Sequence, residues 1–161
     1  MTTAERMLTD QMIEQIRAFF PRYPSRQAVT LPALHVVNEQ LRYVPPQAVV
    51  EIAELLELTP ADVQDTLSFY GFFKQDQPHG RKRIWICRSI SCELRGSNEM
   101  LDHLRDRLGI EPGESTEDGS VTLEIAECLG ACEHAPCMLA GDAMHPCLTK
   151  EKLDEYLDSL Q

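Results

Sequence analysis

The stretch Ile84-Trp85-Ile86-Cys87-Arg88-Ser89-Ile90-Ser91-Cys92 ends in the first of two close cysteine pairs, and Glu127-Cys128-Leu129-Gly130-Ala131-Cys132 holds the second. The pairs read C-x4-C and C-x3-C, with thirty-five residues between Cys92 and Cys128. The apolar run Ile84 to Ile86 predicts a strand leading into the first pair. The alternation Val121-Thr122-Leu123-Glu124-Ile125 predicts a second strand leading into the other. Loops at the ends of two neighbouring strands can bring four thiolates to one point. Four converging thiolates suit a soft metal centre, either zinc or an iron–sulfur cluster.

The rest of the chain bounds that reading. A length of 161 residues holds one ordinary domain or two small ones, and 43% hydrophobic with 25% charged residues is a globular composition. No apolar run is long enough to span a bilayer. Met1-Thr2-Thr3-Ala4-Glu5-Arg6 lacks the apolar core of a signal peptide, so a cytoplasmic location is expected. The net charge of −11 speaks against nucleic acid, whose phosphates would be repelled, and is read as a solubility feature. Six cysteines without a secretory signal point to metal or redox chemistry rather than a disulfide scaffold.

The first half reads as helices. Met12, Ile13, Ile16, Phe19 and Phe20 recur at helical spacing, and Pro21 and Pro24 end that run. Thr30 is the expected N-cap of a second helix, with Leu31, Leu34, Val37 and Leu41 on one face. Pro46 suits the first turn of a third, whose buried stripe is Val49, Ile52, Ala53 and Leu56. Thr59-Pro60-Ala61-Asp62 starts a fourth, carried inward by Val63 and Leu67. These stripes are core, and His35 beside them is structural. The aromatic cluster Phe69-Tyr70-Gly71-Phe72-Phe73 reads as a packing seam rather than a base-stacking platform. Gln75 to Gly80 is a polar turn, and two domains are expected, residues 1–80 and 81–161.

The second half alternates strand and helix. Arg81-Lys82-Arg83 reads as a solvated lead-in to the first strand, with an acidic partner as the alternative it would face. Gly96-Ser97 opens a helix with Met100, Leu101, Leu104 and Leu108 inward. Asp118-Gly119 turns into the Val121 strand. Met138 to Ala140 and Ala143 to His145 predict a hairpin around Gly141-Asp142. Thr149 caps a last helix with Leu153, Tyr156, Leu157 and Leu160 inward. The order β-α-β-β-β-α predicts a small mixed sheet flanked by helices, of the thioredoxin type. The whole chain is α+β, a helical bundle followed by that α/β domain.

The cysteine spacing favours iron–sulfur over zinc. Zinc knuckles prefer a two-residue gap in at least one pair, and a thioredoxin-type disulfide wants C-x-x-C; neither occurs here. A reduced cluster needs hydrogen-bond donors at its sulfurs. Small Gly130 and Ala131 would admit backbone N–H groups, and Ser89 and Ser91 offer hydroxyls. Cys137 and Cys147 belong to neither pair, and each is a candidate stray ligand; Cys147 precedes a helix cap. Cys137 opens a strand and reads as a buried apolar residue. The single histidines have no ligand spacing; His134, two residues past Cys132, is placed where its charge could tune a cluster.

Cys87 to Cys92 with Glu93-Leu94-Arg95-Gly96, and Glu127 to Cys132 with Ala135-Pro136, resemble the thioredoxin-like [2Fe-2S] subunit of respiratory NADH:quinone oxidoreductase, complex I. Leu148 to Leu153, Tyr23-Pro24 and Ser68-Phe69-Tyr70 with Phe73 extend the likeness from about Phe19 to the C-terminus. The resemblance implies a [2Fe-2S] cluster on Cys87, Cys92, Cys128 and Cys132. It implies a flavoprotein partner that binds FMN and NADH, a larger iron–sulfur subunit, and attachment to the inner membrane only through the assembled complex. No G-x-G-x-x-G or P-loop occurs, so the chain itself is expected to bind neither nucleotide and to act as a subunit that is not catalytic alone. The family usually has an apolar residue where Cys137 stands and often tyrosines around Met144 and His145. Relatives serve NAD-reducing hydrogenases and NAD-dependent formate dehydrogenases, which is the alternative assembly. A zinc-stabilised interaction module is the alternative of another class.

Overall fold

The computed structural model describes residues 6–160. The reading of Met1 to Ala4 and Glu5 as free of a signal core lies outside the described residues. The chain packs as two units, Met1–Pro78 and His79–Gln161.

The first unit is helical. Helix α1 (Asp10–Arg17) is capped by Thr9, whose hydroxyl accepts from the Met12 N–H. It stops before Phe19 and Phe20, which enter a short 3-10 turn, so the helix is shorter than the apolar spacing suggests. Helix α2 (Thr30–Leu41) begins at Thr30 rather than after it. A preceding 3-10 turn already feeds the helix, and the Thr30 hydroxyl bonds back to the Gln27 carbonyl instead of capping forward. Helix α3 (Pro46–Leu56) places Pro46 in its first turn, where the missing N–H has no helical partner to lose. Helix α4 (Pro60–Phe69) has a full capping box, with Thr59 and Asp62 satisfying each other's backbone N–H. Ile16, Leu34, Val37, Ile52, Leu56, Val63 and Leu67 form one core with Phe73. Phe69 stays 80% exposed, and His35 rests on the Phe72 and Phe73 rings at 5.6 and 5.1 Å.

The second unit is a four-stranded sheet in the order β2-β1-β3-β4. Strand β1 (Lys82–Cys87) runs parallel to β2 (Val121–Ala126) and antiparallel to β3 (Met138–Ala140), which pairs with β4 (Ala143–His145). The parallel pair requires a crossover, supplied by the short α5 (Ile90–Glu93) and by α6 (Ser97–Leu108). Helix α7 (Lys150–Asp158), capped by Thr149, closes the unit. Ile84, Ile86, Leu104, Leu123, Met138 and Leu153 pack between sheet and helices. Arg83 is not a solvated lead-in residue. It is 6% exposed within β1, with its guanidinium bonded to the equally buried Glu124 of β2 at 2.7 Å and lying over the Trp85 ring. Burial holds the Arg83 guanidinium below its usual value, and Glu124 offsets part of that. Gly80, at the start of this unit, packs against β2: a Cβ there would lie 2.6 Å from the Val121 carbonyl carbon, so only glycine fits. Among the described residues no helix is long and apolar enough to cross a membrane.

Candidate metal centre

The register of β1 and β2 sets the geometry. Cys87, the last residue of β1, stands opposite Ala126, and Cys128 follows Ala126 by two residues. The Arg88 N–H donates to the Ala126 carbonyl at 2.9 Å, and the Arg88 guanidinium pairs with Glu127 across the strand ends. Chain positions forty residues apart are thereby held side by side.

The two pairs differ in setting. The first is not on an open loop. Cys87 ends a strand and Cys92 sits in α5, where Ser89 begins the turn, and both are 1% exposed. Cys128 and Cys132 are exposed, in the irregular segment after β2 and the 3-10 turn Cys132–His134. Gly130 between them has φ +79°, a left-handed conformation that glycine adopts without steric cost.

Donors surround the buried sulfurs. Burial works to raise the Cys87 thiol, but the backbone N–H groups of Ser89 and Leu129 and the Cys92 and Cys137 side chains outweigh it, and the net shift is downward. The donors at Cys87 are thus the backbone N–H groups of Ser89 and of Leu129, the residue before the small Gly130 and Ala131. Burial pushes the Cys92 thiol up, with the Cys87 thiol adding to the rise. The Cys137 N–H opposes that by donating to the Cys92 sulfur. Cys132 is raised chiefly by its contact with Cys128 and by that neighbour's charge, while the Ser91 side chain hydrogen-bonds to its sulfur and opposes the rise. Thiols this close cannot all ionise in water-poor surroundings unless a cation lies among them.

The spacing matches such a cation. Two thiolates about 2.3 Å from one tetrahedral metal lie roughly 3.8 Å apart. The Cys128 and Cys132 sulfurs are 3.9 Å apart. The Cys87, Cys92 and Cys137 sulfurs all lie within 4.8 Å of one another. The buried group thus joins Cys87 and Cys92 to Cys137, and Cys128 and Cys132 form a close exposed pair; all-sulfur donors of this kind suit an iron–sulfur cluster.

Cys137 is the residue the sequence reading undervalued. Its burial was legible from its place before a strand. Its contact with Cys92, at 3.8 Å between sulfurs, was not. The cis Ala135–Pro136 peptide precedes it, and its carbonyl accepts from the Cys87 N–H at 3.2 Å. Burial first, and contact with Cys92 second, push its thiol up to about 12. Cys147 is exposed, with φ +49°, and its N–H donates at 2.7 Å to the carbonyl of exposed His134, in the turn that begins at Cys132.

A small mixed sheet with thiols gathered at its strand ends defines a thiolate-ligated metal protein. The chain belongs to the thioredoxin-like [2Fe-2S] ferredoxin family, whose profile matches residues 16–161. It is 39% identical over 150 residues to an NADH-quinone oxidoreductase subunit of Rhizobium meliloti, covering 93% of this chain and 89% of that one. It is 36% identical over 145 residues to NADH-quinone oxidoreductase subunit 2 of Thermus thermophilus, covering 88% and 80%. A crystal structure of an NAD+-reducing [NiFe]-hydrogenase superposes with a TM-score of 0.72 at 26% identity, over 82% of this chain. The chain spans only 22% of that hydrogenase chain's length. The family's cofactor is a [2Fe-2S] cluster.

Proposed function

We propose that this chain is the electron-transfer subunit of an NADH:quinone oxidoreductase, with Cys87, Cys92, Cys128 and Cys132 holding one [2Fe-2S] cluster. The cluster supplies reversible one-electron transfer. The observation that supports the reading is the parallel pairing of β1 and β2, which sets Cys87 opposite Ala126, with one cysteine pair buried and the other exposed.

The residues divide the work. Cys87 and Cys92 anchor the centre inside the unit, and the Ser89, Leu129 and Cys137 N–H groups offset negative charge on their sulfurs. Cys128 and Cys132 face outward, giving a short path to a docked protein. Ile90 of α5 and Leu94 just after it flank Cys92 in sequence with 72% and 81% of their surface exposed, apolar residues suited to such docking. The partners would be the flavoprotein that binds FMN and NADH and the larger iron–sulfur subunit of the same complex. Hydride chemistry belongs to the flavin of that partner. The chain would then lie on the cytoplasmic side of the inner membrane, held there by the assembled complex. The structural match to the hydrogenase supports the equivalent place in an NAD-reducing hydrogenase as the second reading.

The test is to add NADH to the cluster-loaded chain and follow the visible band, then repeat with the flavoprotein subunit present. Bleaching is expected only in the second mixture. Bleaching by NADH in the strict absence of flavoprotein contradicts the assignment.

A further inference from the structure

Cys137 is buried, in contact with Cys92, and outside both cysteine pairs. Between two free thiols 3.8 Å apart, either sulfur could donate the hydrogen bond. Ligation removes that freedom. A thiol bound to a metal is deprotonated outright, so the Cys92 sulfur becomes an acceptor only. The proton in the contact must then be the one on Cys137. We infer that the Cys137 thiol donates an S–H···S hydrogen bond to the ligating Cys92 sulfur and raises the reduction potential of the centre. The inference rests on the assignment of Cys92 as a ligand.

The Cys87 sulfur also lies within 4.8 Å of Cys137, but Cys92 is the sulfur in hydrogen-bond contact with it, at 3.8 Å. The Cys137 backbone is already committed, the carbonyl to the Cys87 N–H and its own N–H to the Cys92 sulfur. These backbone bonds survive a change of side chain, so substitution isolates the S–H. Reduction adds one negative charge to the centre, and a donor aimed at a ligand sulfur favours the more negative state. The position is only 1% exposed, so water does not compete for the sulfur as it would at Cys128. Cys137 is therefore a tuning residue that acts through Cys92.

The experiment uses the full chain with its cluster reconstituted anaerobically, titrated with dithionite and followed by EPR. Cys137→Ala removes the donor, Cys137→Val removes it while filling the volume, and Cys137→Ser replaces it with a hydroxyl. The expected result is a retained cluster in all three. The potential should fall in the alanine and valine variants by up to about a tenfold change in the one-electron equilibrium, about 59 mV. Serine should restore part of the shift. If alanine leaves a cavity that prevents folding, the valine–serine comparison decides. Equal potentials in wild type, valine and serine variants overturn the inference while leaving the ligand set standing. Loss of the cluster from folded Cys137→Val overturns both, since Cys137 would then be a ligand.

Discussion

Arg83 and Glu124 sit on adjacent strands, each about 5% exposed, joined at 2.6 Å. Removing one partner leaves the other as an uncompensated buried charge. Glu124→Gln is therefore expected to lose about 3–5 kcal/mol of stability, measured by urea unfolding. A loss near zero would mean that the guanidinium finds water or another acceptor. Asp118 presents the opposite situation, an exposed carboxylate. The Thr116 and Ser120 hydroxyls and the Ser120 N–H hold its carboxyl at about 2, down from 3.8. A depressed carboxyl stabilises the fold fully above its ordinary value, and that contribution fades as pH falls from about 4 towards 2. NMR titration of the Asp118 carboxyl should show its midpoint near 2, and Asp118→Asn should remove that part of the acid sensitivity. A midpoint near 4 would show that the turn does not hold the carboxylate in solution.

Helix α4 depends on its first turn. Thr59 and Asp62 close a reciprocal cap, and Pro60 occupies a position that needs no donor. Thr59→Ala should cost about 1 kcal/mol, read from thermal unfolding followed by far-UV circular dichroism. An unchanged midpoint would place the stability of α4 wholly in Val63 and Leu67. The elements whose sequences carry local signals were legible: the Pro46 and Thr59 helix starts, the Gly141-Asp142 hairpin and the Thr149 cap all form as their residues require. Errors arose where tertiary context overrode a local signal. Thr30 has the chemistry of an N-cap, but the 3-10 turn before it turns its hydroxyl backwards. Arg83 has the composition of a solvated strand start, but strand pairing brings Glu124 to it. Short α5 carries too few residues for a periodic pattern to reveal it.

The arrangement of the whole chain follows from one long-range pairing. Parallel strands must be joined by a crossover, and here the crossover begins at one cysteine pair and ends at β2, whose far end leads into the other. The two strands that lead into the cysteine pairs, and their pairing side by side, were legible because strands and thiols adjoin in sequence. The unequal burial of the pairs and the contact of Cys137 with Cys92 were not, because both depend on how β3 lies against β1. The central claim is that the paired thiols hold an iron–sulfur cluster. The most direct measurement is iron, acid-labile sulfide and zinc in the anaerobically purified chain, beside a Cys128→Ser variant, with EPR after reduction. The expected result is about two irons and two sulfides per chain, and a signal lost or greatly perturbed in the variant. Stoichiometric zinc without sulfide would contradict it.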